Sequence, residues 1–166
     1  MTRVQDQELI QACVDSLPIF HIQDAWAYVF FTLQFNTGCR YIEVLEVSRW
    51  TDLQDGTYEL DTAKNSNNRI IPASDVPTVY KNLILSGEQE FGSMRYTTAT
   101  RLFKKGFPLL PLVVGAKDVS THVYRYAKAK KMFIDGSTIQ QISDYLGEVD
   151  NQNTLGYVNA EFYTLP

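Results

Sequence analysis

A chain of 166 residues is sized for one compact domain, since domains run to roughly 150 residues, and its 45% hydrophobic and 13% aromatic content is enough to bury a core without cross-links. Cys13 and Cys39 form no paired framework, and with only His21 and His122 beside them no zinc site is expected. The longest weakly charged apolar run, 25–35, is about half of a bilayer crossing, and no signal peptide opens the chain. The net charge of −4, from 15 Lys and Arg against 19 Asp and Glu, taken whole argues against a polyanionic partner.

The distribution of charge reverses that reading. Residues 1–94 carry 6 basic and 13 acidic groups (−7), residues 95–131 carry 9 basic groups and only Asp118 (+8), and residues 132–166 carry 5 acidic groups and no basic one. A middle segment this basic can meet phosphates even in an acidic chain. Arg95, Arg101, Lys104, Lys105, Lys128, Lys130 and Lys131 are the candidates for contact with a phosphate backbone. The absence of membrane and secretion signals fits a reduced, cytoplasmic compartment.

In chain order, helical periodicity predicts helices over 5–15 and 23–37, the second stopped by Gly38, and a third over 40–47 with Arg40 at its start. Tyr58-Glu-Leu-Asp and Arg69-Ile-Ile-Pro flank a polar turn, Asn65-Ser-Asn-Asn, and read as two short strands with Lys64 at the turn's edge. Helices are expected over 76–86 and 93–105, then an apolar connector from Phe107 to Val114. A helix capped by Ser120 or Thr121 should run to Ile134. Ser137 and Gln140 have capping-box spacing for the next, ending near Leu146, and a last helix should span Asn151 to Phe162. The expected fold class is mainly α with a small antiparallel β-sheet, in a single domain over 1–166.

Singly, the polar candidates are commonplace. Their order is not: Thr37-Gly-Cys-Arg40-Tyr-Ile-Glu43, Thr62-Ala-Lys64 with Arg69-Ile-Ile-Pro72, His122-Val-Tyr-Arg125, Leu146-Gly147, and Tyr157 nine residues after Glu148. This series resembles the tyrosine recombinase (phage integrase) family: its first arginine motif, its lysine-bearing hairpin, its HxxR box, the start of its LGH/LGW box, and its tyrosine nucleophile. The resemblance implies a site-specific DNA recombinase or integrase of a phage or other mobile element, which cleaves and rejoins double-stranded DNA through a 3′-phosphotyrosine. It implies catalytic roles for Arg40, Lys64, His122, Arg125 and Tyr157, and places Glu148 where the family has a histidine or tryptophan donor to the scissile phosphate. The family's usual N-terminal core-binding domain is expected to be absent.

The residue types suit that reaction. Two always-charged guanidinium forks neutralise the nonbridging oxygens of a phosphodiester, His122 can donate or move a proton, Tyr157 can attack phosphorus, and Lys64 can protonate the leaving 5′ oxygen. Bond energy kept in the ester requires neither ATP nor metal, so no cofactor is expected. Strand exchange between two duplexes implies a homo-oligomer, a tetramer on DNA. The apolar tail Ala160 to Pro166 is the segment expected to dock on another subunit. The alternative is a degenerate recombinase-fold module that binds DNA or protein without cleavage, because an ionised Glu148 cannot donate to a phosphate and repels it.

Overall fold

The computed structural model describes residues 2–64, 66–109, 112–114, 117–118 and 120–164, with 112–114 and 117–118 described as backbone only. Asn65 of the expected turn, the Lys117 side chain, and Leu165 and Pro166 of the tail lie outside this set. The element order is β1 (Thr2–Val4), α1 (Asp6–Gln23), α2 (Ala25–Thr37), α3 (Tyr41–Leu45), β2 (Trp50–Asp52), β3 (Thr57–Leu60), β4 (Arg69–Pro72), α4 (Thr78–Leu85), α5 (Tyr96–Gly106), β5 (Leu112–Val114), β6 (Lys117–Asp118), α6 (Val123–Ile134), α7 (Ile139–Leu146), α8 (Asn151–Asn159) and β7 (Phe162–Thr164). The expected mainly α architecture with small antiparallel sheets is what forms.

The first helix runs on past the expected 15 to Gln23, through Pro18. Proline removes one helical hydrogen bond, but Ser16 and Phe20 on either side are fully buried, and Ser16 Oγ meets Tyr124 OH at 2.7 Å. Tertiary packing therefore carries the helix through the break. The core is aromatic: Phe31 packs on Phe20, Phe30 and Tyr124 with ring centroids 4.3, 5.2 and 5.4 Å apart, which joins α1, α2 and α6.

Strands β2, β3 and β4 form the expected antiparallel sheet, with Tyr58 opposite Ile71 and Leu60 opposite Arg69. A second sheet, of strand order β1-β7-β5-β6, has no counterpart in the sequence-based expectation. It corrects one reading, since the last helix ends at Asn159, not Phe162. Within the tail, Phe162–Thr164 pair in this chain's own sheet, with Val4 and Val114 both opposite Phe162. The cap of α7 is also one residue later than expected: Thr138 Oγ1 accepts from the Gln141 N–H at 3.1 Å, and Gln141 Oε1 accepts from the Thr138 N–H at 2.8 Å.

Two turns place the site. Gly38, at φ +70°, ends α2 and turns the chain into Arg40, and a Cβ there would lie 2.6 Å from Leu146 Cδ2. Gly147, at φ +75°, ends α7 just before Glu148, and a Cβ there would lie 2.6 Å from the Asn67 carbonyl oxygen. Only glycine fits both the left-handed backbone and the close approach.

Candidate active site

Arg40, Arg125, Glu148 and Tyr157 meet at one carboxylate oxygen. Glu148 Oε1 accepts from Arg125 Nη2 at 2.7 Å, from Arg40 Nη2 at 3.2 Å and from the Tyr157 hydroxyl at 3.2 Å, while Oε2 accepts from Asn153 Nδ2 at 3.3 Å. Glu148 is 6% exposed. Burial alone would raise its pKa, but the Arg125 and Arg40 guanidiniums and the Asn153 amide outweigh that and hold it below the usual glutamate value. The carboxylate therefore stays ionised in the position where the two forks converge.

Each arginine is held by its own buried partners, a carboxylate for Arg40 and backbone carbonyls for Arg125. Arg40 precedes α3, where its own N–H donates to Glu43 Oε1 at 2.9 Å and its Nη1 to Glu43 Oε2 at 3.2 Å. Glu43, fully buried, also accepts from the Ala63 N–H at 3.0 Å, which ties the arginine motif to the residue before Lys64. Arg125, in the first turn of α6 and fully buried, donates from Nη1 to the Gly38 carbonyl at 2.7 Å and from Nη2 to the Leu146 carbonyl at 3.1 Å. Its Nε has no hydrogen-bond partner among the described residues. Burial works against the Arg125 charge, but Tyr157 and Glu148 more than offset it and raise its pKa.

Tyr157, on α8, lies beneath Arg125, whose guanidinium carbon is 5.2 Å from the ring centroid, and meets Tyr126 edge-on at 5.1 Å. His122 sits just before α6 with its ring centroid 5.8 Å from that of Tyr157. Burial, then the charges of Arg125, Arg40 and Lys64, push its pKa down to about 4, so it is neutral at pH 7. Lys64 is exposed and adopts φ +61°, a left-handed conformation that costs a lysine on the order of 1–3 kcal/mol. The Ala63 bond to Glu43 and the Asn67 N–H bond to the Gly147 carbonyl at 2.9 Å hold this loop on both sides of Lys64.

The basic segment divides. Arg95, Arg101, Lys104 and Lys105 are exposed on or just before α5, whose start reaches the arginine motif where Tyr96 stacks on Tyr41, centroids 4.2 Å apart. The lysines of α6 are largely engaged elsewhere. Lys130 is buried and donates to Asp6 Oδ1 at 2.9 Å and to the Val158 and Ala160 carbonyls at 2.9 and 2.7 Å, so it faces the interior rather than solvent. Lys131 pairs with Asp135 at 2.7 Å, and half-buried Lys128 lies 5.2 Å from the Tyr145 ring centroid, its pKa lowered mainly by burial. Asn153, a donor to Glu148, and Arg69, a strand residue with buried carbonyl partners, lie outside the residues to which the motifs give a role. Lys130 had a legible signal: Val123, Ala127 and Lys130 share one inward stripe at helical spacing.

Solved structures share this architecture. XerA recombinase superposes with a TM-score of 0.62 at 19% identity, covering 90% of this chain and 56% of that one. A lambda integrase(75-356) dimer bound to a COC′ core site gives 0.66 at 16%, covering 95% and 59%. XerH recombinase on its palindromic difH substrate, in a post-cleavage complex, gives 0.63 at 13%, covering 94% and 49%. The fold is that of a tyrosine recombinase catalytic domain. The chain spans about half to three-fifths of the length of these structures. No protein-family model matches the sequence, and no curated protein matches it by sequence. Among the described residues no helix is long and apolar enough to cross a membrane, and no cluster of metal-ligating side chains occurs.

Proposed function

We propose that this chain is the catalytic unit of a site-specific DNA recombinase or integrase that cleaves double-stranded DNA through a 3′-phosphotyrosine at Tyr157. The observation that carries this reading is the convergence of Arg40, Arg125 and the Tyr157 hydroxyl on one anionic oxygen. A carboxylate and a phosphate are both planar-fork acceptors for arginine. Glu148 is therefore the resting occupant of the phosphate position.

In the proposed reaction a DNA phosphate displaces Glu148 and takes both forks. The Tyr157 oxygen bonds to phosphorus as the bond from phosphorus to the 5′ oxygen breaks. His122, neutral at pH 7, has a lone pair to take the tyrosine proton, and Lys64 gives one to the departing oxygen. The free 5′ hydroxyl of another strand then reverses the step without ATP. Two duplexes require more than one copy of the chain, so we read the active form as a multimer on DNA.

The test is covalent capture. Incubation with nicked duplexes of randomised sequence should trap a protein–DNA adduct that Tyr157→Phe abolishes while leaving binding within a few-fold, and the trapped strands would report the preferred site. An adduct undiminished in the Phe variant moves the nucleophile elsewhere. The second reading, a recombinase-fold module that binds without cleaving, is favoured by one observation, the carboxylate already seated between the arginines. It predicts DNA binding but no adduct in the parent, in Glu148→Gln or in Glu148→His.

A further inference from the structure

Arg69 is fully buried, and the described residues offer it no carboxylate at ion-pair distance. A buried charge without a counter-ion is costly unless its donors are satisfied, so its partners are informative. Nη2 donates to the Thr37 carbonyl, Nε to the Tyr145 carbonyl and Nη1 to Cys39 Sγ at 3.6 Å. Thr37 ends α2 and Tyr145 lies in the last turn of α7. Both carbonyls belong to helix C-termini, where orphan acceptors and the helix dipole favour a cation.

Arg125 takes the next carbonyl along each chain, Gly38 and Leu146. Two guanidiniums thus clamp the same pair of helix ends, one residue apart. Arg125 also reaches the Glu148 carboxylate through Nη2, whereas Arg69 is anchored in β4 opposite Leu60, at the foot of the loop that carries Lys64. The joint has no slack: a Cβ on Gly147 would lie 2.7 Å from Arg69 Cγ.

We propose that Arg69 is a positioning residue that fixes the Lys64 loop against the helix ends from which Arg40 and Glu148 project, and so sets the reach of Lys64 to the leaving 5′ oxygen. The inference rests on the cleavage chemistry proposed above. Its specific consequence is a defect in leaving-group protonation rather than in phosphate binding. Arg69→Lys keeps the charge but replaces a fork with a point donor, and Arg69→Met removes both.

The experiment is single-turnover cleavage by the full chain of two nicked substrates, one with the ordinary 5′ oxygen leaving group and one with sulfur in its place, because a thiolate departs without a proton. Both variants should lose on the order of 10²-fold on the oxygen substrate and stay within a few-fold of the parent on the sulfur substrate. Equal slowing on both, or none on either, overturns the proposal. Amide exchange supplies a reading independent of cleavage. Protection of Ala63 and Asn67 should fall in Arg69→Lys while that of Ala127 in α6 is kept. Unchanged protection at Ala63 and Asn67, or loss throughout including α6, overturns it. A parent that cleaves neither substrate refutes the cleavage reading, and exchange alone then decides whether Arg69 holds the loop.

Discussion

Glu148 decides the resting state of the site. Because the arginines hold it ionised well into the acid range, acidification does not free the position between them, and single-turnover cleavage should not rise as pH falls from 7 to 5. Removing the charge by substitution should. Glu148→Gln keeps an oxygen acceptor without the repulsion, and Glu148→His adds a donor of the kind whose loss typically costs on the order of 10²–10³ in rate. Both are expected to cleave faster than the parent at pH 7, His more than Gln. Equal or lower rates in both would remove Glu148 from the phosphate's path. His122 sets a different pH dependence, that of stability. Its folded pKa of about 4 lies below the unfolded value of 6.5, so the unfolded chain binds more protons between those pH values and stability falls as pH drops through that window. From pH 7.5 to pH 5 the loss is about 2 kcal/mol. Denaturant unfolding of the parent and His122→Gln at both pH values should show that loss in the parent and not in the variant, and parallel losses would mean that His122 is free to protonate.

Helix α6 shows why a run of charge is a poor map of a surface. A helix turns each side chain about 100° from the last, so one run of basic residues sends Arg125 to the site, Lys130 to the interior and Lys131 to its own Asp135. Lys130 joins three elements, since Asp6 opens α1 while Val158 and Ala160 lie at the end of α8, the helix that carries Tyr157. Lys130→Met leaves the buried Val158 carbonyl, the part-buried Ala160 carbonyl and the half-exposed Asp6 carboxylate without their donor, and a loss of about 1–3 kcal/mol in unfolding free energy is expected. A loss under about 1 kcal/mol would show that water replaces the ammonium there. The motifs that were legible in the sequence, Gly38 to Glu43 and His122 to Arg125, are short, and their geometry is set by a helix end within a few residues. The partners of Lys130 and Arg69 lie far along the chain and are mostly backbone carbonyls, which carry no residue-type signal. The second sheet was illegible for a related reason. Its described strands have two or three residues each, too short for alternation to register, and β1 and β7 come from opposite ends of the chain.

Across the whole molecule, the charge that DNA would meet is narrower than the sequence total suggests. Residues 95–131 sum to +8, but burial and ion pairs withdraw much of the α6 share, which leaves, among the described side chains, exposed Arg101, Lys104 and Lys105 of α5 beside Arg95 as the most accessible cations. The Tyr41–Tyr96 stack sets the start of this helix against the residue that follows Arg40, so a backbone held on α5 runs toward the proposed phosphate position. The remaining chain is acidic, with −7 over residues 1–94 and −5 over 132–166, and repels a duplex from other directions. Reversing Arg101, Lys104 and Lys105 to Glu should therefore weaken binding to any duplex sequence alike, by more at low salt than at high. The slope of log affinity against log salt should become shallower by roughly 1 for each phosphate that the variant no longer neutralises, up to about 3. Because all three side chains are exposed, unfolding free energy should stay within about 0.5 kcal/mol of the parent. Fluorescence anisotropy on a labelled duplex across a salt series, beside a denaturant melt, reads both quantities. Unaltered affinity and slope in a stably folded triple variant would show that α5 does not face the DNA, and would move the binding surface to Lys64 and the arginine site alone.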